Sequence, residues 1–143
     1  MVEDYEPFRR LIRAILGNRQ EFHIVCEVSD GLEAVHKAEE LKPDLILMDI
    51  GLPTLNGIEA ARRIRRSIPD SKIVFLSQES SPDVVHEALS LGALGYVVKA
   101  RAGNEVMDAM EAVRHGRRFI SKEVADHDFP FGNDVHAAWG SKK

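Results

Sequence analysis

The run Leu45-Ile46-Leu47-Met48 stops on a carboxylate, Asp49, and opens into the turn Ile50-Gly51-Leu52-Pro53. Four consecutive apolar residues cannot alternate between core and water, so a strand made of them is covered on both faces, as in a parallel sheet flanked by helices. Asp49 then emerges at the carboxyl edge of that sheet, where ligands bind in open α/β folds. Alone, an aspartate before a turn is ordinary turn chemistry. Other polar residues change its meaning. Ser77 closes Ile73-Val74-Phe75-Leu76, Lys99 closes Tyr96-Val97-Val98, and the acids Glu3 and Asp4 precede a helical stretch. Each stands where a strand ends or a helix begins, so all are predicted to share one edge.

The rest of the chain supplies the alternation such a sheet needs. Phe8, Leu11, Ile12, Ile15 and Leu16 fall at helical spacing behind Pro7, which suits a first helical turn. Phe22, Ile24, Cys26 and Val28 alternate as a second strand, and Asp30 with Glu33 forms a capping pair ahead of a helix from Gly31 to Leu41. Strand three ends at Asp49. Ile58, Ala61, Ile64 and Ile68 mark a helix whose Arg62, Arg63, Arg65 and Arg66 read as a solvated face rather than a phosphate site. Strands over 72–76 and 95–99 follow, separated by a helix that opens at Pro82, and a last helix runs from Gly103 to about His115. Met107 and Met110 within it read as core filler. Right-handed crossovers then give an α/β fold, a doubly wound parallel five-stranded sheet with helices on both faces.

Composition fits a single globular domain. The chain has 143 residues, 44% hydrophobic and 29% charged, enough for a proper core. A net charge of -4 gives no general attraction to nucleic acid or to an anionic membrane. No apolar stretch approaches the ~20 residues that span a bilayer, and no signal-peptide pattern opens the chain, so a cytoplasmic location is expected. Cys26 is the single cysteine and reads as a small buried hydrophobe. The histidines at 23, 36, 86 and 115 lie on different elements without ligand spacing, which disfavours zinc.

Glu3-Asp4, Asp49 with Gly51-Leu52-Pro53 and Gly57, Ser77 and Lys99 stand in an order and spacing that resembles the receiver domain of bacterial two-component response regulators. The stretches 44–49, 92–99 and 116–121 are most similar to the NarL/LuxR subfamily. The resemblance covers about residues 2–125 and implies a flavodoxin-like fold. It implies that Asp49 is the phosphoacceptor, taking a phosphoryl group from a sensor histidine kinase or phosphotransfer protein. It further implies that Glu3, Asp4, Asp49 and the Gly51 carbonyl hold Mg²⁺, that Lys99 binds a phosphoryl oxygen and pairs with Asp49 beforehand, and that Ser77 and Tyr96 form the switch. Magnesium takes few protein ligands and completes its octahedron with water, which suits such a set. The readout surface would be the edge around 80–91 and 95–107, facing an output protein of unknown identity or a second copy of the chain.

Two other classes compete with a phosphoacceptor. One is a receiver-like protein-interaction module that is not phosphorylated. The other is a phosphatase with an aspartyl intermediate, but the second acid such enzymes carry two residues past the nucleophile is Gly51 here. The expected signalling domain is therefore not an enzyme in its own right. Domain bounds are set at 1–125 for the receiver and 126–143 for a flexible tail containing Phe129, Phe131 and Trp139. That tail is too short for a helix-turn-helix reader, so no direct DNA binding is expected. Only Met1 and Val2 precede the acidic pair, and the first strand is accordingly predicted as a truncated stub beside a disturbed acidic pocket.

Overall fold

The structure, a computed structural model, describes residues 1–125. The expectations for Phe129, Phe131 and Trp139 lie outside the described residues. Helices α1 (Glu6–Leu16) and α2 (Gly31–Leu41) lead into β1 (Leu45–Asp49), α3 (Gly57–Ser67), β2 (Lys72–Ser77), α4 (Pro82–Ser90) and β3 (Gly95–Val98). A single 3₁₀ turn, Lys99–Arg101, leads into α5 (Ala102–Arg114), and β4 (Phe119–Ile120) and α6 (Lys122–Ala125) follow.

The strands form a parallel sheet in the order β1-β2-β3-β4. Asp49 is opposite Leu76, and Ser77 is opposite Val98, so the polar ends of three strands line one edge. On the far side of β1, Val2 bridges in parallel to both Val28 and Met48. The backbone bonds are Val2 N–H to the Leu47 carbonyl at 2.8 Å, Asp49 N–H to the Val2 carbonyl at 2.9 Å and Glu3 N–H to the Val28 carbonyl at 3.0 Å. The first strand is therefore the expected stub.

The strand count differs from expectation. The described sheet has four strands rather than five, because the stub at Val2 makes only isolated bridges, the segment 22–28 forms no strand, and β4 adds one that was not foreseen. Residues 22–28 do alternate in burial, but alternation records which way side chains face, whereas a strand needs a backbone partner. Met1–Glu3 reach only the Cys26–Val28 end of that segment.

Two cores lie on opposite faces of the sheet. Leu47, Val74, Leu76 and Val97 pack with Ile12 and Leu16 of α1 and Val106, Ala109 and Val113 of α5. Ile46, Met48, Ile73, Phe75 and Tyr96 pack with Ala34 and Ala38 of α2, Ile58, Ala61 and Ile64 of α3, and Val85 and Ala88 of α4. The alternation along β1 and β2 thus sends successive side chains to different helical layers, the pattern of a doubly wound sheet. Phe75 is fully buried, and Phe75→Ala at such a site costs about 3–5 kcal/mol.

Capping sets where α2 and α3 begin. Asp30 accepts from the Glu33 N–H at 2.8 Å and Asn56 accepts from the Glu59 N–H at 2.9 Å, each satisfying a first-turn donor. Three arginines of α3 are engaged: Arg62 pairs with Glu59 and Glu87, Arg63 with Glu59, and Arg65 donates to the Ser71 carbonyl. No helix among the described residues is long and apolar enough to cross a membrane.

Candidate functional site

Asp49 is the last residue of β1 and lies almost wholly out of water. Its Oδ1 accepts from the Gly51 N–H at 3.3 Å, and its Oδ2 lies 3.4 Å from the Lys99 Nζ. Glu3 is fully buried beside it, with Oε1 2.8 Å from the same ammonium and Oε2 accepting from the Tyr5 N–H at 3.0 Å. One cation thus serves two buried carboxylates. Burial raises both acids above their ordinary values, and Lys99 opposes that rise at each.

Asp4 completes an acidic group. One carboxylate oxygen from each of Glu3, Asp4 and Asp49 can be chosen so that all lie within 4.8 Å of one another. Asp4 is exposed, so the group opens to solvent on one side. Three oxygens at that spacing, two of them buried and sharing a lone ammonium, fit a small divalent cation with water in its remaining positions. Glu3, Asp4 and Asp49 are the residues that would hold it.

Lys99 also sits over the Phe8 ring, 4.7 Å from its centroid. A cation on an aromatic face gains attraction without competing for the carboxylates. The sequence placed Phe8 only on the apolar stripe of α1. Its second use depends on how α1 docks, which helical spacing does not record.

Ser77 ends β2, and its hydroxyl accepts from the Glu79 N–H at 2.9 Å. Tyr96 lies in β3, fully buried, and its hydroxyl donates to the Glu79 carbonyl at 2.8 Å. Both side chains therefore hold the loop after β2 through one residue. Burial raises the Tyr96 phenol, with the Ser77 hydroxyl acting against that rise. The Tyr96 side chain is thus turned into the interior. Glu3, Asp4, Asp49 and Lys99 form one cluster; Ser77 and Tyr96 form a second unit on the adjoining strands.

The family model described as "Response regulator receiver domain" matches residues 1–111. The chain is 35% identical over 124 residues to the transcriptional regulatory protein DegU of Brevibacillus brevis, covering 87% of this chain and 52% of that protein. It is 35% identical over 125 residues to the transcriptional regulatory protein LiaR of Bacillus subtilis (strain 168), covering 87% of this chain and 59% of that one. The chain thus spans about half the length of these curated relatives. Among solved structures, a two-component response regulator of the LuxR family from Aurantimonas sp. SI85-9A1 superposes with a TM-score of 0.82 at 33% identity, covering 87% of this chain and 89% of that one.

Proposed function

Because the chain belongs to the response regulator receiver family, with relatives of the LuxR/NarL kind, we propose that Asp49 is the phosphoacceptor of a two-component signalling pathway. The observation that carries the assignment is the convergence of Asp49, Glu3, Asp4 and Lys99 at the carboxyl edge of β1 and β3. The donor is a sensor histidine kinase or a phosphotransfer protein.

Phosphoryl transfer demands positioning and charge neutralisation more than covalent help. An Asp49 oxygen attacks the donor phosphorus as the bond from phosphorus to the donor atom breaks, leaving an acyl phosphate on Asp49. The Gly51 N–H steadies the other carboxylate oxygen. Lys99, next to Asp49 beforehand, exchanges that contact for a phosphoryl oxygen. Bound Mg²⁺ would supply charge neutralisation between the acidic group and the incoming phosphoryl group.

Ser77 would turn away from the Glu79 N–H to donate its hydroxyl proton to the new phosphoryl group, loosening the loop that Tyr96 also holds. One added charge would then bias a hydrogen-bonded pair, and the readout surface is the edge formed by α4, β3 and α5. The domain signals by contact with an output protein or a second copy rather than by turnover of a substrate, in the cytoplasm where kinase domains meet it, and without touching DNA through residues 1–125. Residues 126–143 are assigned as a tail outside the receiver.

Incubation with phosphoramidate and Mg²⁺ is predicted to add one phosphoryl group to the full chain, measured as intact mass. Asp49→Asn is predicted to abolish it. Unchanged mass in the unmutated protein would favour an interaction module that is not phosphorylated, and labelling of the variant would place the acceptor elsewhere.

A further inference from the structure

β3 carries Tyr96, and Lys99 follows its last residue, so the backbone of this short strand sets where both side chains begin. Its inner edge is ordered by β2 along four residue pairs. Its outer edge meets β4 at only two, Gly95 with Phe119 and Tyr96 with Ile120. Beyond them, nearest Lys99, the pairing is taken over by one residue.

That residue is Ser121, fully buried. Its N–H donates to the Tyr96 carbonyl at 2.7 Å, and its hydroxyl oxygen accepts from the Val98 N–H at 3.1 Å. The consecutive peptide units 96–97 and 97–98, which end one unit before Lys99, are thus both held by Ser121. The hydroxyl proton is donated to Oε1 of Glu105, on the first turns of α5. The other oxygen of Glu105 accepts from the Lys122 N–H at 3.2 Å, where α6 begins. Glu105 is itself buried, so these donors satisfy a carboxylate that water barely reaches.

We propose that Ser121, oriented by Glu105, is a positioning residue for Lys99: it fixes the end of β3 from which the lysine reaches the two carboxylates. The proposal rests on the reading of Lys99 as the cation of phosphoryl transfer. Removing the Ser121 hydroxyl leaves the Val98 N–H without its acceptor and Glu105 Oε1 without its donor, both in buried surroundings. The strain is relieved by movement of the strand end. Displacements on the order of 1 Å at a reacting group can cost about 10²-fold in rate.

The test uses the full chain and two readouts: the rate of labelling by phosphoramidate with Mg²⁺, and the nitrogen-15 shift of Lys99 Nζ in the unphosphorylated protein at fixed pH. Ser121→Ala is expected to slow labelling roughly 10-fold and to move the Nζ resonance. Ser121→Thr keeps the hydroxyl and is expected to restore both. A Ser121→Ala protein that melts lower yet keeps the original rate and Nζ shift has a structural serine only, and the proposal falls. If the unmutated protein is not labelled, the phosphoacceptor reading fails, while the Nζ shift still decides this inference. Should Ser121→Ala not fold, Glu105→Gln offers one acceptor to two donors and is expected to move the same resonance; an unmoved resonance there overturns the proposal.

Discussion

Lys99 stands closer to Glu3 than to Asp49, 2.8 Å against 3.4 Å, so its charge is divided between two acids that burial already disfavours as anions. An acid whose value is raised by folding binds its proton more tightly in the folded chain than in the unfolded one. Its contribution to stability is complete below its ordinary value and is lost as pH rises through the raised value. At neutral pH both acids therefore cost stability. A proton, a divalent cation or loss of one carboxylate relieves that cost. Asp49→Asn is predicted to raise the melting temperature at about pH 7 by a few degrees. The gain should shrink as pH falls towards the ordinary carboxylate range, because Asp49 then takes up its proton. Scanning calorimetry of both proteins across that range checks the sign: a variant less stable at neutral pH would mean that Lys99 more than offsets the burial of Asp49. The acids Glu6, Glu21, Glu59 and Glu111, all at least partly open to water, are lowered by their arginine partners and act in the opposite direction, in both proteins alike.

Elements meet the site through backbone as well as side chains. The amino end of α3 lies directly against β1's end: the Gly57 N–H donates to the Ile50 carbonyl at 2.7 Å, and a Cβ at Gly57 would lie 2.0 Å from the Asp49 carbonyl oxygen. Neither partner is a flexible side-chain tip, so the helix or the strand end must move. Gly57→Ala is predicted to destabilise the fold by roughly 3 kcal/mol and to slow labelling of Asp49, measured by urea denaturation and by mass. Preserved stability would show that α3 can shift without cost. The strands that lead to Asp49, Ser77 and Lys99 were legible in the sequence because each is an unbroken apolar run followed by a polar residue, and the capping pair Asp30 and Glu33 announced α2. β4 was not legible, since two residues carry no period, and its pairing depends on where α5 returns the chain. Residues 22–28 misled for the converse reason, alternating without a partner over most of their length. Phe8, Glu105 and Ser121 escaped because their roles exist only after α1, α5 and β4 have docked.

For the whole molecule, the two cores share one sheet, and its weakest lane lies between β1 and the segment 22–28. A cavity of about 850 Å³ runs there, lined by Met1, Phe22, Ile24, Leu45, Ile46 and Met110 among others. Its register is set by bonds already made. The Met1 amino group donates to the Cys26 carbonyl at 2.9 Å and the Val28 N–H to the Met1 carbonyl at 3.0 Å, while the Val2 N–H donates to the Leu47 carbonyl at 2.8 Å. Parallel pairing continued in that register would use the Leu45 carbonyl and Leu47 N–H on one wall and the Cys26 N–H on the other. The Met1 ammonium, lowered by burial, is an unfavourable charge at the foot of the lane, and an amide in its place would remove it. Extending the chain by four apolar residues before Met1 is therefore predicted to stabilise the fold by roughly 2 kcal/mol, the balance of two or three newly buried side chains and new ladder bonds against the ordering of four residues. Calorimetry should show a higher melting temperature for this extension and little change for four polar residues. Because the same stub carries Glu3 and Asp4, the apolar extension should also tighten Mg²⁺ binding, measured by titration calorimetry. An unchanged melting temperature would mean that the cavity does not accept a strand. A higher melting temperature with unchanged Mg²⁺ affinity would mean that Met1–Asp4 already hold the acidic group as firmly as a longer strand could.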